Sequence, residues 1–168
     1  MDLVAKQQKK VIQIVLMAVM SAIVIVGTIS IRIPNPMGGY FNIGDVMIFV
    51  AALTFNPLIG GVAGGLGSAL ADIFSGYAVF AVPTLVIKGL EGLIASVISN
   101  KKSVYRDVLA VVAAGAEMVV GYFLVETFLW GVGAAIAEVP ANIGQIAVGG
   151  LVGIPIALVL RRRLKDLI

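Results

Sequence analysis

Long apolar runs are the feature that most limits what this chain can fold into. Residues 11–31 carry no charged side chain, and as a helix they would measure roughly 31 Å, which matches the ~30 Å hydrocarbon core of a bilayer. The composition agrees, because 60% of the residues are apolar, 12% are charged and the mean hydropathy is +1.09. Soluble domains do not reach these values. The sequence therefore predicts an integral membrane protein, with a retained first span because no small-residue cleavage site follows this run.

Helix-breaking residues divide the rest of the apolar sequence into further spans. Residues 32–42 (RIPNPMGGYFN) contain two prolines and two glycines and are predicted to form an ordered loop. Asn56-Pro57 and Ser75-Gly76 interrupt the next apolar stretch, and the polar residues 100–106 (NKKSVYR) form another loop. The prediction is a single all-α membrane domain over residues 1–168, with six spans at 11–31, 43–55, 58–75, 78–98, 108–130 and 139–160. The second span is short, at about 20 Å, and needs local thinning of the bilayer.

Basic residues predict the orientation. Ten of the 12 lysines and arginines fall in three groups beside the spans, and an even number of spans places all three groups on one side of the membrane. By the positive-inside rule, the N-terminus and C-terminus are predicted to be cytoplasmic, in a multi-pass protein of a prokaryotic plasma membrane. We interpret the charge as contact with anionic lipid headgroups, and nucleic acid is not an expected partner. The groups are Lys6, Lys9 and Lys10; Lys101, Lys102 and Arg106; and Arg161, Arg162, Arg163 and Lys165.

The chain contains no histidine and no cysteine. This removes thiolate chemistry, the commonest metal ligand and the commonest general base. A rhomboid-type serine protease lacks its histidine here. The GxGD motif of intramembrane aspartyl proteases is incomplete, because Asn42 stands at its first glycine position and Asp45 lies at a loop edge. The sequence therefore predicts neither an enzyme nor a metal or cofactor site.

Polar residues inside or beside the spans indicate a binding site, because ionisable groups within a membrane are expensive and usually functional. With the predicted orientation, several of them fall in the outer half of the membrane. They are expected to bind hydroxyl, amino or ring-nitrogen groups of a ligand. The residues are Asp72, Glu126, Asn142 and Gln145.

Two further ionisable residues, Lys88 and Glu117, are predicted near the middle of the membrane, where they would form the floor of a cavity open to the outside. Lys88 and Glu91 are three residues apart and share a helical face. The alternative for Lys88 is therefore an internal ion pair with a buried carboxylate. We interpret Asp45 as a helix cap, since a carboxylate near a helix N-terminus is favoured there.

Aromatic residues cluster at the predicted outer edge. They can stack on a planar heteroaromatic ring, or they can form the aromatic belt found at membrane interfaces, and the sequence leaves both readings open. These residues are Tyr40, Phe41, Tyr77, Phe80, Tyr122 and Trp130.

Small residues repeat along the third span, at Gly60, Gly61, Gly64, Gly65 and Gly67. Such small-xxx-small patterns let helix backbones approach closely. We assign them to helix packing, because the lysine and hydroxyl signature of a phosphate-binding P-loop is absent.

Residues 39–77 (GYFNIGDVMIFVAALTFNPLIGGVAGGLGSALADIFSGY) and 83–92 (PTLVIKGLEG) resemble the substrate-binding S component of energy-coupling factor (ECF) transporters, which take up vitamins. The C-terminal third is similar to this family mainly in layout. The resemblance implies six helices that hold a vitamin in an outward-facing pocket. It places the chain among S components for riboflavin, pyridoxine, hydroxymethylpyrimidine or cobalamin and leaves the vitamin open.

The resemblance also implies partners. Ala18 and Ala22 match the small-residue motif that docks onto a transmembrane coupling protein, which is joined to two ABC ATPases. Transport is then expected to proceed by tipping of the whole S component in the membrane, with ATP hydrolysed by the partners.

A self-sufficient proton-coupled secondary carrier is the alternative function. Asp72, Lys88 and Glu117 would relay protons in such a carrier. Residues 11–75 and 78–160 do not resemble each other as inverted repeats, so this reading ranks second. A carrier would transport alone, whereas an S component binds alone and transports only with its coupling module.

Overall fold

The computed structural model describes residues 2–34 and 39–164, so Lys165 of the C-terminal basic group and the middle of the first loop lie outside the described residues. The described chain forms six helices and a two-stranded antiparallel hairpin. Five of these helices are long and apolar enough to cross a membrane, and the sixth is a shorter apolar helix. This confirms the predicted all-α membrane fold, whereas the side on which the termini lie stays a prediction. The helices are α1 (Asp2–Ser30), α2 (Gly44–Thr54), α3 (Pro57–Phe74), α4 (Ala78–Ile98), α5 (Val104–Trp130) and α6 (Val132–Arg163), and the strands are β1 (Arg32–Pro34) and β2 (Tyr40–Asn42).

Local sequence explains the tight connections. Asn56 is the N-cap of α3, and its side chain accepts a hydrogen bond from the Ile59 amide at 3.1 Å, with Pro57 at the first helical position. Gly131 joins α5 to α6 with a φ of +88°, a conformation that favours glycine. These connections hold successive helices antiparallel to one another.

The short helix α2 occupies the interior of the bundle. It packs against α1, α3, α4 and α6, and Ile48, Phe49 and Leu53 are fully buried. Because protein surrounds α2, its length does not have to match the thickness of the bilayer.

Glycines bring α3 against α4. A Cβ atom on Gly60 would lie 2.8 Å from the Gly92 carbonyl oxygen and 2.9 Å from the Cα of Ala52. Side chains larger than hydrogen do not fit at this contact, which confirms the packing interpretation of the glycines in the third span.

The two ends of the bundle differ in character. The hairpin, the α3–α4 connection and the α5–α6 connection lie at one end. The start of α1, the α4–α5 connection and the end of α6 lie at the other, where Lys9, Lys101 and Arg161 line a common cavity. The described members of the three basic groups therefore gather at one end of the molecule, as the even number of spans requires.

Candidate ligand-binding site

A cavity of about 50 Å3 lies at the end opposite the basic residues. Its lining comes from the C-terminal parts of α1, α3 and α5, from α4 as far as Lys88, from the N-terminal half of α6, and from the hairpin. Eight of the twelve predicted site residues line it: Tyr40, Asp72, Phe80, Lys88, Tyr122, Glu126, Asn142 and Gln145. The rest of the described lining is Thr28, Gly39, Asn42, Ser68, Thr84 and Glu138.

A buried ion-pair cluster forms the floor of this cavity. The Lys88 Nζ atom lies 2.5 Å from Asp45 Oδ1 and 2.9 Å from Glu91 Oε2, and all three side chains are buried. The internal ion pair between Lys88 and Glu91 is therefore confirmed, and a second carboxylate from α2 joins it.

The helix-cap interpretation of Asp45 is wrong. The N-cap position of α2 is Ile43, which makes no side-chain cap hydrogen bond, and the Asp45 carboxylate faces Lys88 instead. The Gly44 amide at the start of α2 donates to the Asn42 side chain at 2.8 Å. Asn42 thus satisfies the helix terminus and leaves Asp45 free to neutralise the buried ammonium group.

Tyr40 connects the hairpin to α3. Its hydroxyl donates a hydrogen bond of 2.5 Å to Asp72 Oδ1, and its ring lies 4.6 Å from the ring of Tyr77. Burial and the neighbouring Asp72 carboxylate raise the pKa of Tyr40 far above its ordinary value, so the hydroxyl remains a donor at neutral pH. The hairpin is thereby held over the cavity.

Aromatic rings form one wall. Phe80 lines the cavity, with its ring 6.5 Å from that of Tyr122 and 5.1 Å from that of Trp130. Thr84 Oγ1 and Tyr122 Oη lie 3.0 Å apart in a hydrogen bond, and the Lys88 ammonium is 5.8 Å from the Tyr122 ring centroid. Phe80 and Tyr122 therefore present a pre-positioned aromatic surface.

Four of the predicted site residues are not in the described lining. Glu117, expected at the floor, is one of them, and the other three are aromatic. Tyr77 contacts Tyr40, and Trp130 contacts Phe80 while remaining 42% exposed. Phe41 lies on the far side of the hairpin strand, next to Gly144. Tyr77 and Trp130 are positioned to support the lining side chains Tyr40 and Phe80.

The lining is also rich in hydrogen-bond acceptors. Asp72 Oδ2, Glu126 Oε2 and Gln145 Oε1 are buried and have no hydrogen-bond donor among the described residues. The Gln145 amide nitrogen donates to Asn142 Oδ1 at 3.1 Å, which fixes the orientation of both amides. Lys88 is the one basic residue among the described lining residues, and it already neutralises the floor carboxylates.

Sequence reasoning missed several lining residues. The hydroxyl residues Thr28, Ser68 and Thr84 carry no spacing signal within apolar spans. Glu138 did carry one, because it precedes Asn142 by four residues and Gln145 by seven, which places all three on one helical face. The predicted start of the last span at residue 139 excluded Glu138, whereas α6 begins at Val132.

The fold and this cavity define a multi-pass membrane protein with a small polar cavity near one end of its helices. Residues 8–162 match the family model described as ECF-type riboflavin transporter, S component. The chain therefore belongs to the ECF S component family, the substrate-binding subunits of vitamin transporters. It is a transporter subunit and not an enzyme.

The chain is also similar to individual curated proteins and to a solved structure. A Pyrococcus woesei protein, described as an uncharacterized protein in gap 3'region, is 44% identical over 147 residues, covering 86% of this chain and 99% of that protein. The thiamine precursor transporter HmpT of Lactococcus lactis subsp. cremoris (strain MG1363) is 29% identical over 143 residues, covering 84% and 82%. A solved structure of the S component of a bacterial ECF transporter superposes with a TM-score of 0.63 at 23% identity, over 92% of this chain and 95% of that chain. The solved structure supports the fold.

Proposed function

We propose that this S component captures a small, planar, water-soluble vitamin that is rich in hydrogen-bond donors. The candidates are riboflavin and the pyridoxine and hydroxymethylpyrimidine type of vitamin. The cavity faces the outside of the cell, and an ECF coupling protein with two ABC ATPases drives delivery to the cytoplasm by tipping of the S component.

The observation that carries this proposal is the set of unpartnered acceptors in a cavity that is also lined by aromatic rings. A buried acceptor without a donor costs about 1–3 kcal/mol. A ligand that brings amino or hydroxyl groups to Asp72, Glu126 and Gln145 recovers this free energy. Phe80 and Tyr122 supply a surface for its ring.

The size of the cavity requires movement on binding. Its volume of about 50 Å3 is well below the roughly 300–1,000 Å3 of ligand pockets. The lining must therefore separate to admit a vitamin. The hairpin is the element to move, because the Tyr40 hydroxyl bond to Asp72 can be exchanged for a bond from the ligand.

The relatives support the same class of ligand. The family model is named for riboflavin, and HmpT is named for a thiamine precursor. Riboflavin and the pyrimidine precursor of thiamine are heteroaromatic and carry donor groups, in agreement with the acceptors of the cavity.

The proposed docking surface on α1 is accessible. Ala18 and Ala22 are four residues apart on one face of the helix, and both are exposed. Small residues at this spacing allow a partner helix to approach closely, which supports their assignment to the coupling protein.

The carrier alternative receives less support. Lys88 is held between Asp45 and Glu91, so its charge is already neutralised within an ion-pair cluster, which argues against a role as a proton relay. Family membership also favours a subunit that depends on partners for transport.

A calorimetric titration of the purified protein against riboflavin, pyridoxine, hydroxymethylpyrimidine, thiamine and cobalamin tests the proposal. We expect one donor-rich vitamin to bind, and Glu126→Gln to weaken its affinity about 10-fold or more, since a hydrogen bond to a charged acceptor contributes about 1.5–3 kcal/mol. Glu117→Gln is the matched control, because Glu117 is on the same helix but outside the cavity lining. Equal effects of the two variants, or no binding by any vitamin, would contradict the proposed site.

A further inference from the structure

A second and larger cavity lies at the opposite end of the bundle from the proposed vitamin site. Its volume is about 940 Å3, and it opens between the start of α1 and the end of α6. The floor comes from the end of α2, the start of α3 and the α4–α5 connection. The residues that line it are Lys9, Ile12, Gln13, Leu16, Thr54, Phe55, Asn56, Ile59, Lys101, Lys102, Val104, Leu158, Arg161 and Arg162.

Among the described residues, the lining has five basic side chains and no acidic one, so its charge is strongly one-sided. Arg161 is neutralised by Asp107, with Nη1 lying 2.8 Å from Oδ2 and Nη2 lying 3.0 Å from Oδ1. Its Nε atom donates to the Leu53 carbonyl at 2.6 Å. The other four basic residues make no ion pair with any carboxylate in the described part of the chain. Their positive charges converge on one cavity, and no described carboxylate pairs with them.

Lys101 is held in this position by its backbone. Its φ is +58°, and its amide donates to Ser99 Oγ at 3.3 Å, an oxygen that also accepts from Arg161 Nη2 at 3.2 Å. Burial and the adjacent Arg161 lower the pKa of Lys101. An anion in the cavity would offset the repulsion between the positive charges of Lys101 and Arg161.

The walls of the cavity are apolar where they follow the helices. Ile12 and Leu16 of α1 face Leu158 of α6 across it. Deeper inside, Thr54 is 1% exposed, and its hydroxyl has no hydrogen-bond partner among the described residues. The site thus combines a basic rim, a buried hydroxyl and walls suited to hydrocarbon.

We propose that this cavity binds one anionic phospholipid, with the headgroup phosphate among Lys9, Lys102 and Arg162 and the acyl chains along α1 and α6. Basic pockets between membrane helices recognise anionic headgroups through this charge complementarity. The apolar walls, together with the position at the predicted membrane edge, favour a lipid over free phosphate.

Native mass spectrometry of the purified protein in detergent, titrated with phosphatidylglycerol or phosphatidylcholine, tests the proposal. We expect phosphatidylglycerol to bind about 30-fold more weakly to the variant Lys102→Gln/Arg162→Gln, because each basic residue near a headgroup contributes about fivefold. Both side chains are exposed at the rim, so the fold should survive, and thermal unfolding in lipid-free detergent checks this.

Lys6→Gln/Lys10→Gln is the matched control. It removes the same charge at the same end from exposed residues outside the lining, and it should retain phosphatidylglycerol binding. The proposal is overturned if both variants lose affinity equally, since diffuse surface charge would then explain binding. It is also overturned if phosphatidylcholine binds as tightly, or if inorganic phosphate displaces the lipid at comparable concentration. Lipid binding that does not depend on Lys102 and Arg162 also overturns the proposal. This result is expected if a segment of the coupling protein is the true occupant of the cavity.

Discussion

Lys88 is a buried cation held by carboxylates from two helices. Asp45 comes from α2, and Glu91 comes from its own helix α4. An isolated charge would not be stable in this interior, so the pairing explains how a lysine is tolerated beneath the cavity. The cluster also connects α2 to α4 directly below the proposed vitamin site.

Replacing Lys88 with methionine should destabilise the protein by about 3–5 kcal/mol, because two carboxylates would remain buried without their partner. Lys10→Met is the control, since Lys10 is exposed on α1 and surface substitutions usually change stability by less than about 0.5 kcal/mol. Thermal unfolding in detergent measures both. Equal stability of the two variants would show that the ion pairs contribute little.

The sequence predicted the position of a site residue where its partner is close along the chain or where its depth within a predicted span could be estimated. Lys88 and Glu91 share a helical face by spacing alone, whereas Asp45 is 43 residues from Lys88 and only the folded bundle brings them together. Asp72 and Glu126 followed from their depth in the predicted spans. The hydrogen bond between Tyr40 and Asp72 was not predictable, because the depth of a loop residue in the membrane cannot be estimated from a predicted span.

At the level of elements, the contact between α3 and α4 depends on glycine. Gly60→Ala should destabilise the protein by about 1–3 kcal/mol, because the added Cβ would overlap the backbone of Gly92 and Ala52. This exceeds the advantage of up to about 1 kcal/mol that alanine has in a helix.

Gly133→Ala is the control for this contact, since a Cβ there meets nothing within 4 Å. That variant should be unchanged or slightly more stable in the same thermal unfolding measurement. A Gly60→Ala protein as stable as the control would mean that α3 and α4 can separate without loss.

The exposed face of α1 leads to a prediction about transport. Ala22→Leu should abolish ATP-dependent uptake in the presence of the coupling module while leaving vitamin affinity unchanged, because the larger side chain prevents close helix approach. Ala113→Leu is the control, on an exposed position of α5. If the Ala22→Leu variant still supports uptake, Ala18 and Ala22 are not part of the docking surface.

Elements were predictable where their signal was local. Apolar runs indicated six helices, and Asn56-Pro57 marked the start of α3 as observed. The β1–β2 hairpin was not predictable, because two strands of three residues lie within a segment rich in proline and glycine. The enclosure of α2 was not predictable either, since a short apolar run does not say whether protein or lipid surrounds it.

For the whole molecule, the two ends have opposite chemistry. One carries a small acceptor-rich cavity beneath a hairpin, and the other carries a large basic cavity. This polarity fits a protein that takes its ligand at one membrane surface and holds anionic lipid at the other. The antiparallel order of the helices allows the two ends to differ, because successive connections alternate between them.

Uptake by proteoliposomes most directly tests the central claim that the chain binds a vitamin alone and transports it only with partners. The measurement compares radiolabelled vitamin inside liposomes that contain this chain alone, under an imposed proton gradient, with liposomes that also contain the coupling protein and ATPases supplied with ATP. The account predicts binding but no accumulation by the chain alone, and accumulation with the module and ATP. Proton-driven accumulation by the chain alone would contradict it and establish a self-sufficient carrier.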